Sequence, residues 1–184
     1  MKRCKVCKTV FAPTKPMQCV CSGECALSLA VYKRAKAEKV AQVKERRADK
    51  VKRETLKTRG DWIKEAQIEF NKYVRLRDSG KGCISCGSAC GEGAIGGSGD
   101  AGHFRSRGSA PHLRFDERNC HLQCKRCNRY LSGNVADYRV GLVGRIGLDA
   151  VVALEADQEP RRHTMDDLKA IKAKYTALTR ELNA

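Results

Sequence analysis

Large apolar side chains are scarce in this sequence of 184 residues. It has one tryptophan, four phenylalanines and aromatics at only 5% of the chain. A hydrophobic core of ordinary depth is therefore excluded, and some other source of rigidity is needed. Nor is there any run of about eighteen apolar residues, so no membrane span is expected. The first eleven residues, MKRCKVCKTVF, carry positive charge with no apolar stretch behind it, which is not the pattern of a secretory signal. Acidic charge is also in short supply, with 21 Asp and Glu against 37 Lys and Arg.

What is abundant is cysteine and basic charge. Unexported thiols stay reduced, so paired cysteines among the eleven read as metal ligands, and an odd total argues against a complete disulfide framework. The net charge of +16 is unevenly placed, because residues 1–59 hold 17 Lys and Arg against 5 Asp and Glu. Such an excess suits a polyanion, where each cation displaces condensed counterions, and nucleic acid is the expected partner.

Three regions follow from the pattern. Residues 1–30 hold five cysteines with Pro13 and Pro16, which predicts a small loop-dominated zinc knuckle. Residues 31–59 contain strong helix formers with few apolar positions, predicting a solvent-exposed basic helix. Arg59-Gly60-Asp61 is expected to break that helix and cap the next, in which Trp62, Ile63, Ala66, Phe70, Tyr73 and Val74 form one buried face. A glycine-rich loop over residues 87–102 follows, with any strand confined to its end. Helices are expected over residues 135–146, opened by Asn134, over 148–156, and over 165–182, opened by Thr164 and Asp167. The fold class is α+β and mainly helical.

Cys83-Ile-Ser-Cys86 and Cys124-Lys-Arg-Cys127 are two C-x2-C pairs, 37 residues apart. Four thiolates at tetrahedral distance bind zinc, and in a small domain that binding energy becomes folding energy. A second set comprises Cys4, Cys7, Cys21 and Cys25, with Cys19 able to replace Cys21. Both zincs are expected to be structural, since four thiolates leave no place for water. Cys90 and Cys120 are spares.

Between the pairs lie Asp100, His103, Asn119 and His121, with Asn128 directly after Cys127. Phosphodiester hydrolysis needs a base for water, a cation on the phosphate and help for the leaving oxygen. Histidine suits the first task, and Asp or Asn oxygens suit a hard ion such as Mg²⁺ or Mn²⁺. Arg105, Arg107 and Arg114 are candidate phosphate contacts. His112 and His163, lacking such context, read as ordinary surface residues.

This segment resembles an HNH, or ββα-metal, nuclease core of the zinc-ribbed kind. The resemblance implies that His103 is the base, that Asn119 steadies the intervening loop and that Asn128 ligates the catalytic cation. Beyond that motif, the chain resembles the NinG (Rap) recombination proteins of lambdoid phages, through its knuckle, basic helix and the WIK, CISCG, DAGHF, LRF and SGN segments. That likeness implies a structure-specific nuclease in the bacterial cytoplasm, acting on Holliday junctions and D-loops, with a homodimer as one possible assembly. Gly102 stands where many relatives carry Asp or His before the base, so Asp100, or else His121, is expected to complete the cation site. A non-catalytic zinc-finger or recombination-mediator protein explains the charge and the cysteines equally well, but not His103, Asn119 and Asn128 at the three nuclease positions.

Overall fold

The computed structural model describes residues 1–91 and 98–184; part of the glycine-rich loop thus lies outside the described residues. The chain divides into two compact units, Met1–Lys57 and Thr58–Ala184.

In the first unit, β1 (Lys2–Arg3) and β2 (Val10–Phe11) form an antiparallel hairpin with Arg3 opposite Val10. The turn between them carries Cys4 and Cys7, closed by the Lys8 amide bonding to the Cys4 carbonyl at 3.1 Å. Lys8 adopts a left-handed φ of 66°. The second C-x2-C turn repeats this shape, with the Gly87 amide on the Cys83 carbonyl at 2.9 Å and a φ of 71° that glycine adopts without penalty. Helix α1 (Gly23–Thr55) starts eight residues earlier than the composition suggests, because the Ser22 side chain caps the Cys25 amide. Cys25 therefore lies in its first turn rather than in a loop. None of the 33 residues of α1 is buried, as its sparse apolar positions predict.

The second unit opens on α2 (Arg59–Arg77), and its cap lies one residue before the Arg-Gly-Asp break expected from sequence. Thr58 and Asp61 form a reciprocal capping box, which leaves Gly60 inside the first helical turn. The buried face of α2 is the predicted one, with Trp62, Ala66, Phe70 and Val74 packed against Leu168 and Tyr175 of α5 (Met165–Glu181). A second cluster joins Ile84, Phe104 and Leu113 to Tyr138 and Leu142 of α3 (Val135–Ile146) and to Val151 and Leu154 of α4 (Leu148–Ala156).

Between these clusters runs the antiparallel pair β3 (Asp100–His103) and β4 (Cys120–Gln123), with His103 opposite Cys120 and Gly102 opposite His121. Asp78 fastens α2 to this hairpin. Its carboxylate is 1% exposed, accepts from the Leu122 amide at 3.0 Å and pairs with Arg77 at 2.9 Å and Arg145 at 3.3 Å. Burial opposes its charge, yet bonds from His121, Arg77 and the Leu122 amide hold it far below the usual carboxylate range.

Directly after the last cysteine pair the chain makes a single wide turn, Arg126–Tyr130, with π-type geometry. It closes through the Leu131 amide on the Arg126 carbonyl at 3.0 Å. Ser132, Gly133 and Asn134 then all take positive φ, so α3 begins from a left-handed Asn134 whose side chain bonds Asp137 instead of capping a backbone amide. Two short antiparallel sheets in a mainly helical frame make this an α+β fold.

Candidate functional site

The cysteines converge as two tetrads, Cys4–Cys7–Cys21–Cys25 and Cys83–Cys86–Cys124–Cys127, with the sulfurs of each within 4.8 Å of one another. Sulfur pairs stand at 3.4 Å for Cys7–Cys21 and 3.8 Å for both Cys21–Cys25 and Cys86–Cys124. Tetrahedral zinc, with Zn–S near 2.3 Å, requires about 3.8 Å between sulfurs, so both sets could hold a zinc ion. Their ionisation agrees. Burial pushes the Cys127 thiol up to about 12, while Cys86, despite burial, is drawn down to about 6 by the Ser88 hydroxyl and amide. Neighbouring sulfurs resist becoming thiolates together unless a cation balances them. Cys21 rather than Cys19 joins the first set, and Cys19 instead offers its carbonyl to the Lys5 amide at 2.9 Å. Cys90 packs against the second set without joining it, and burial beside that sulfur cluster pushes its thiol up to about 11.

Next to the second tetrad, Asp100, His103 and Asn128 line one open polar cleft, together with Asn71 and Arg75 of α2, Arg107 and Arg129. The hairpin supplies Asp100 and His103, and the wide turn supplies Asn128. His103 Nε2 lies 2.9 Å from the Arg114 carbonyl. A carbonyl only accepts, so the proton sits on Nε2 and Nδ1 keeps its lone pair. Burial pushes the ring's pKa down to about 4, although the Arg114 carbonyl opposes the shift; Arg107 and Arg114 add to it. Nδ1 meets the Cys120 sulfur at 3.7 Å, and full burial keeps that sulfur a protonated thiol.

Asn119, fully buried, braces the loop between the strands. Its Oδ1 accepts from the Arg105 amide at 2.8 Å, and its Nδ2 donates to the carbonyls of Arg105 at 3.0 Å and Leu113 at 3.1 Å. Asn128 donates its Nδ2 to Asp100 Oδ2 at 3.0 Å, which leaves the amide carbonyl oxygen for another partner. Arg129 takes both oxygens of the same carboxylate, at 2.6 and 2.9 Å. Burial raises the Asp100 pKa, but Arg129 and Asn128 outweigh it and leave the group below its ordinary value.

Four sequence-based expectations are corrected. His121 does not face the cleft; its Nδ1 stands 3.3 Å from Asp78 and its Nε2 3.2 Å from the Arg118 carbonyl, which makes it part of the Asp78 network. Arg105 is not open to a phosphate, because its guanidinium donates to the Leu154 carbonyl at 3.0 Å and to Gln158 at 3.0 Å, closing the end of α4. His112 is not a surface residue; its side chain is 5% exposed and its Nε2 lies 3.0 Å from the Asp157 carbonyl. His163 is half-buried, edge-on to Phe115. Arg75 and Asn71 were not visible as cleft residues in sequence, since both lie on α2 outside the nuclease-like segment.

Gly102 stands where no side chain fits. A Cβ there would overlap the Gln123 side-chain oxygen and come within 2.9 Å of Gln123 Cβ. Any side chain at this position would run into the interior rather than reach the cleft.

The family model described as "Bacteriophage Lambda NinG protein" matches residues 1–184. Protein ninG of Salmonella phage P22 is 42% identical over 194 residues, covering 98% of this chain and 93% of that protein. Protein ninG of Escherichia phage lambda is 41% identical over 194 residues with the same coverage. No solved structure is significantly similar to the chain.

Proposed function

The chain belongs to the NinG family of lambdoid phages, and from the residues of its cleft we propose that it is a structure-specific DNA endonuclease with an HNH-type centre. Its substrates in this reading are branched recombination intermediates, Holliday junctions and D-loops among them, in the cytoplasm of a bacterial host. The observation that carries it is the convergence of His103, Asp100 and Asn128 on one polar cleft with exposed Arg75 and Arg107.

His103 is the base for the attacking water, with its ring held by the Arg114 carbonyl. Asp100 and the Asn128 carbonyl oxygen are the donors for Mg²⁺ or Mn²⁺, and both are oxygen ligands of the kind such ions prefer. A divalent ion held there supplies positive charge against the scissile phosphate and the leaving oxygen. Arg75 and Arg107 orient phosphates, while Asn119 keeps the loop behind His103 in place. Zinc at the second tetrad keeps Asn128, one bond from Cys127, in register with Asp100. Helix α1, about 50 Å long at 1.5 Å per residue, offers sequence-independent grip on the DNA backbone. Junction preference then rests on shape and bendability rather than on base contacts, and a homodimer would bring two clefts to one junction.

The test is cleavage of a labelled four-way junction by the wild type and by His103→Ala, each with Mg²⁺ or Mn²⁺. The wild type nicks the junction and the variant does not. A wild type that binds the junction yet leaves it intact in both metals overturns the reading. It would favour a non-catalytic zinc-stabilised DNA-binding or mediator protein, for which the observation is that Arg129 already closes both oxygens of Asp100.

A further inference from the structure

Within that nuclease reading, the most informative contact in the cleft is the one that works against it. Asp100 is the carboxylate that lines the cleft, and Arg129 spans both its oxygens through Nε and a terminal nitrogen, while Asn128 takes a further place on Oδ2. A hard divalent ion takes lone pairs of those same oxygens, and its charge is repelled by a guanidinium seated on them. The guanidinium and the ion therefore compete at Asp100.

Arg129 is held loosely enough to leave. Its side chain is 60% exposed, whereas Asp100 is 21% exposed, so the carboxylate is fixed and the arginine is the mobile partner. It projects from the wide turn Arg126–Tyr130, beside Asn128. An exposed ion pair of this kind is weakly held in water. Phosphate offers a guanidinium the same two-point acceptor that a carboxylate does. Arg75 and Arg107 line the same cleft and have no carboxylate partner among the described residues, so a DNA phosphate is drawn to the place where Arg129 can reach it.

We propose that Arg129 is a substrate-responsive guard, which holds Asp100 until a DNA phosphate draws it away and so makes loading of the catalytic cation depend on DNA. Thermodynamic reciprocity then requires the cation to tighten DNA binding by the same factor that DNA tightens cation binding. Arg129 acts here as a positioning residue, with Asp100 and Asn128 as the ligands.

The experiment is Mn²⁺ binding to the full zinc-loaded chain, followed by electron paramagnetic resonance of the free ion, with and without an unlabelled four-way junction. All proteins carry His103→Ala to prevent cutting, and Mn²⁺ taken up by the DNA alone is subtracted. Without DNA, Arg129→Gln should bind Mn²⁺ about twofold to fivefold more tightly than its parent. Arg129→Lys, which keeps the charge but cannot span both oxygens, should fall between. Adding Asp100→Asn to Arg129→Gln should abolish the gain. Adding the junction should raise the parent's affinity and leave Arg129→Gln nearly unchanged. Equal Mn²⁺ affinity of parent and Arg129→Gln without DNA, with both responding alike to the junction, overturns the guard but leaves the cation centre intact. Absence of any Asp100-dependent Mn²⁺ binding, with or without DNA, overturns the cation centre and the guard together.

Discussion

His103 and Arg114 are joined ring to backbone, Nε2 to carbonyl at 2.9 Å, across eleven residues of chain. The bond sets the tautomer, and the same pocket keeps the ring neutral. Its pKa is pushed down to about 4 by burial, from an unfolded value near 6.5. The unfolded chain therefore binds this proton more readily. The stability that follows is present above about pH 6.5 and is lost as pH falls toward 4. Between pH 7 and pH 5 the wild type should lose roughly 2 kcal/mol more than His103→Asn, at 1.36 kcal/mol per unit. Denaturant midpoints of both proteins at the two pH values measure this, and parallel losses would mean that the ring is not buried in its neutral form.

Two tetrads predict two zinc ions per chain by elemental analysis. Cys19→Ser and Cys90→Ser should keep both, while Cys127→Ser should retain one and lose the ordered second unit. Apparent binding energies for structural zinc are on the order of 10 kcal/mol, more than a small domain can forgo. A wild-type count near one would remove the N-terminal site.

Asn119→Ala removes three hydrogen bonds made by a fully buried amide and leaves the Arg105 amide and carbonyl unpaired, while the Leu113 carbonyl keeps the Asp116 amide at 3.2 Å. A loss of about 2–4 kcal/mol is expected in chemical denaturation. Asn119→Asp should be at least as damaging, because a carboxylate cannot donate to the carbonyls of Arg105 and Leu113. A variant as stable as the wild type would show that the loop is held by other means.

Placing an acidic residue before the base should not improve the cleft. Gln123 is fully buried, with its Nε2 held by Ser85 Oγ at 2.8 Å and the Gly133 carbonyl at 2.6 Å, so it cannot yield to a side chain at position 102. Gly102→Ala should cost about 1–3 kcal/mol through overpacking. The Gly102→Ala/Gln123→Ala pair should be less unstable than the sum of its single changes. Strict additivity would mean that the two positions do not meet.

Spacing alone was enough to read the second tetrad, because C-x2-C turns are local structures with one shape, whereas in the first it left Cys19 and Cys21 as alternatives. The buried face of α2 and the Thr164–Asp167 cap were legible for the same reason, since each is set within a few residues. Asn119 was readable through its distance from Cys124. What escaped was long-range. Arg105 finds α4 about fifty residues on, and His121 finds Asp78 across a helix and a strand. No periodicity reports such pairings. The π-type turn under Asn128 also escaped, because side-chain propensities do not distinguish one wide turn from the start of an α-helix.

Helix α1 has no buried residue to hold it, so its order must come from its ends. Starting a helix is the expensive step, and each further residue adds its bond at little cost. Cys25 sits in the first turn and belongs to the N-terminal tetrad. An ion in that tetrad would therefore act as the nucleus from which a solvent-exposed rod grows. Chelation should register first as lost helicity, spreading from the cysteine end.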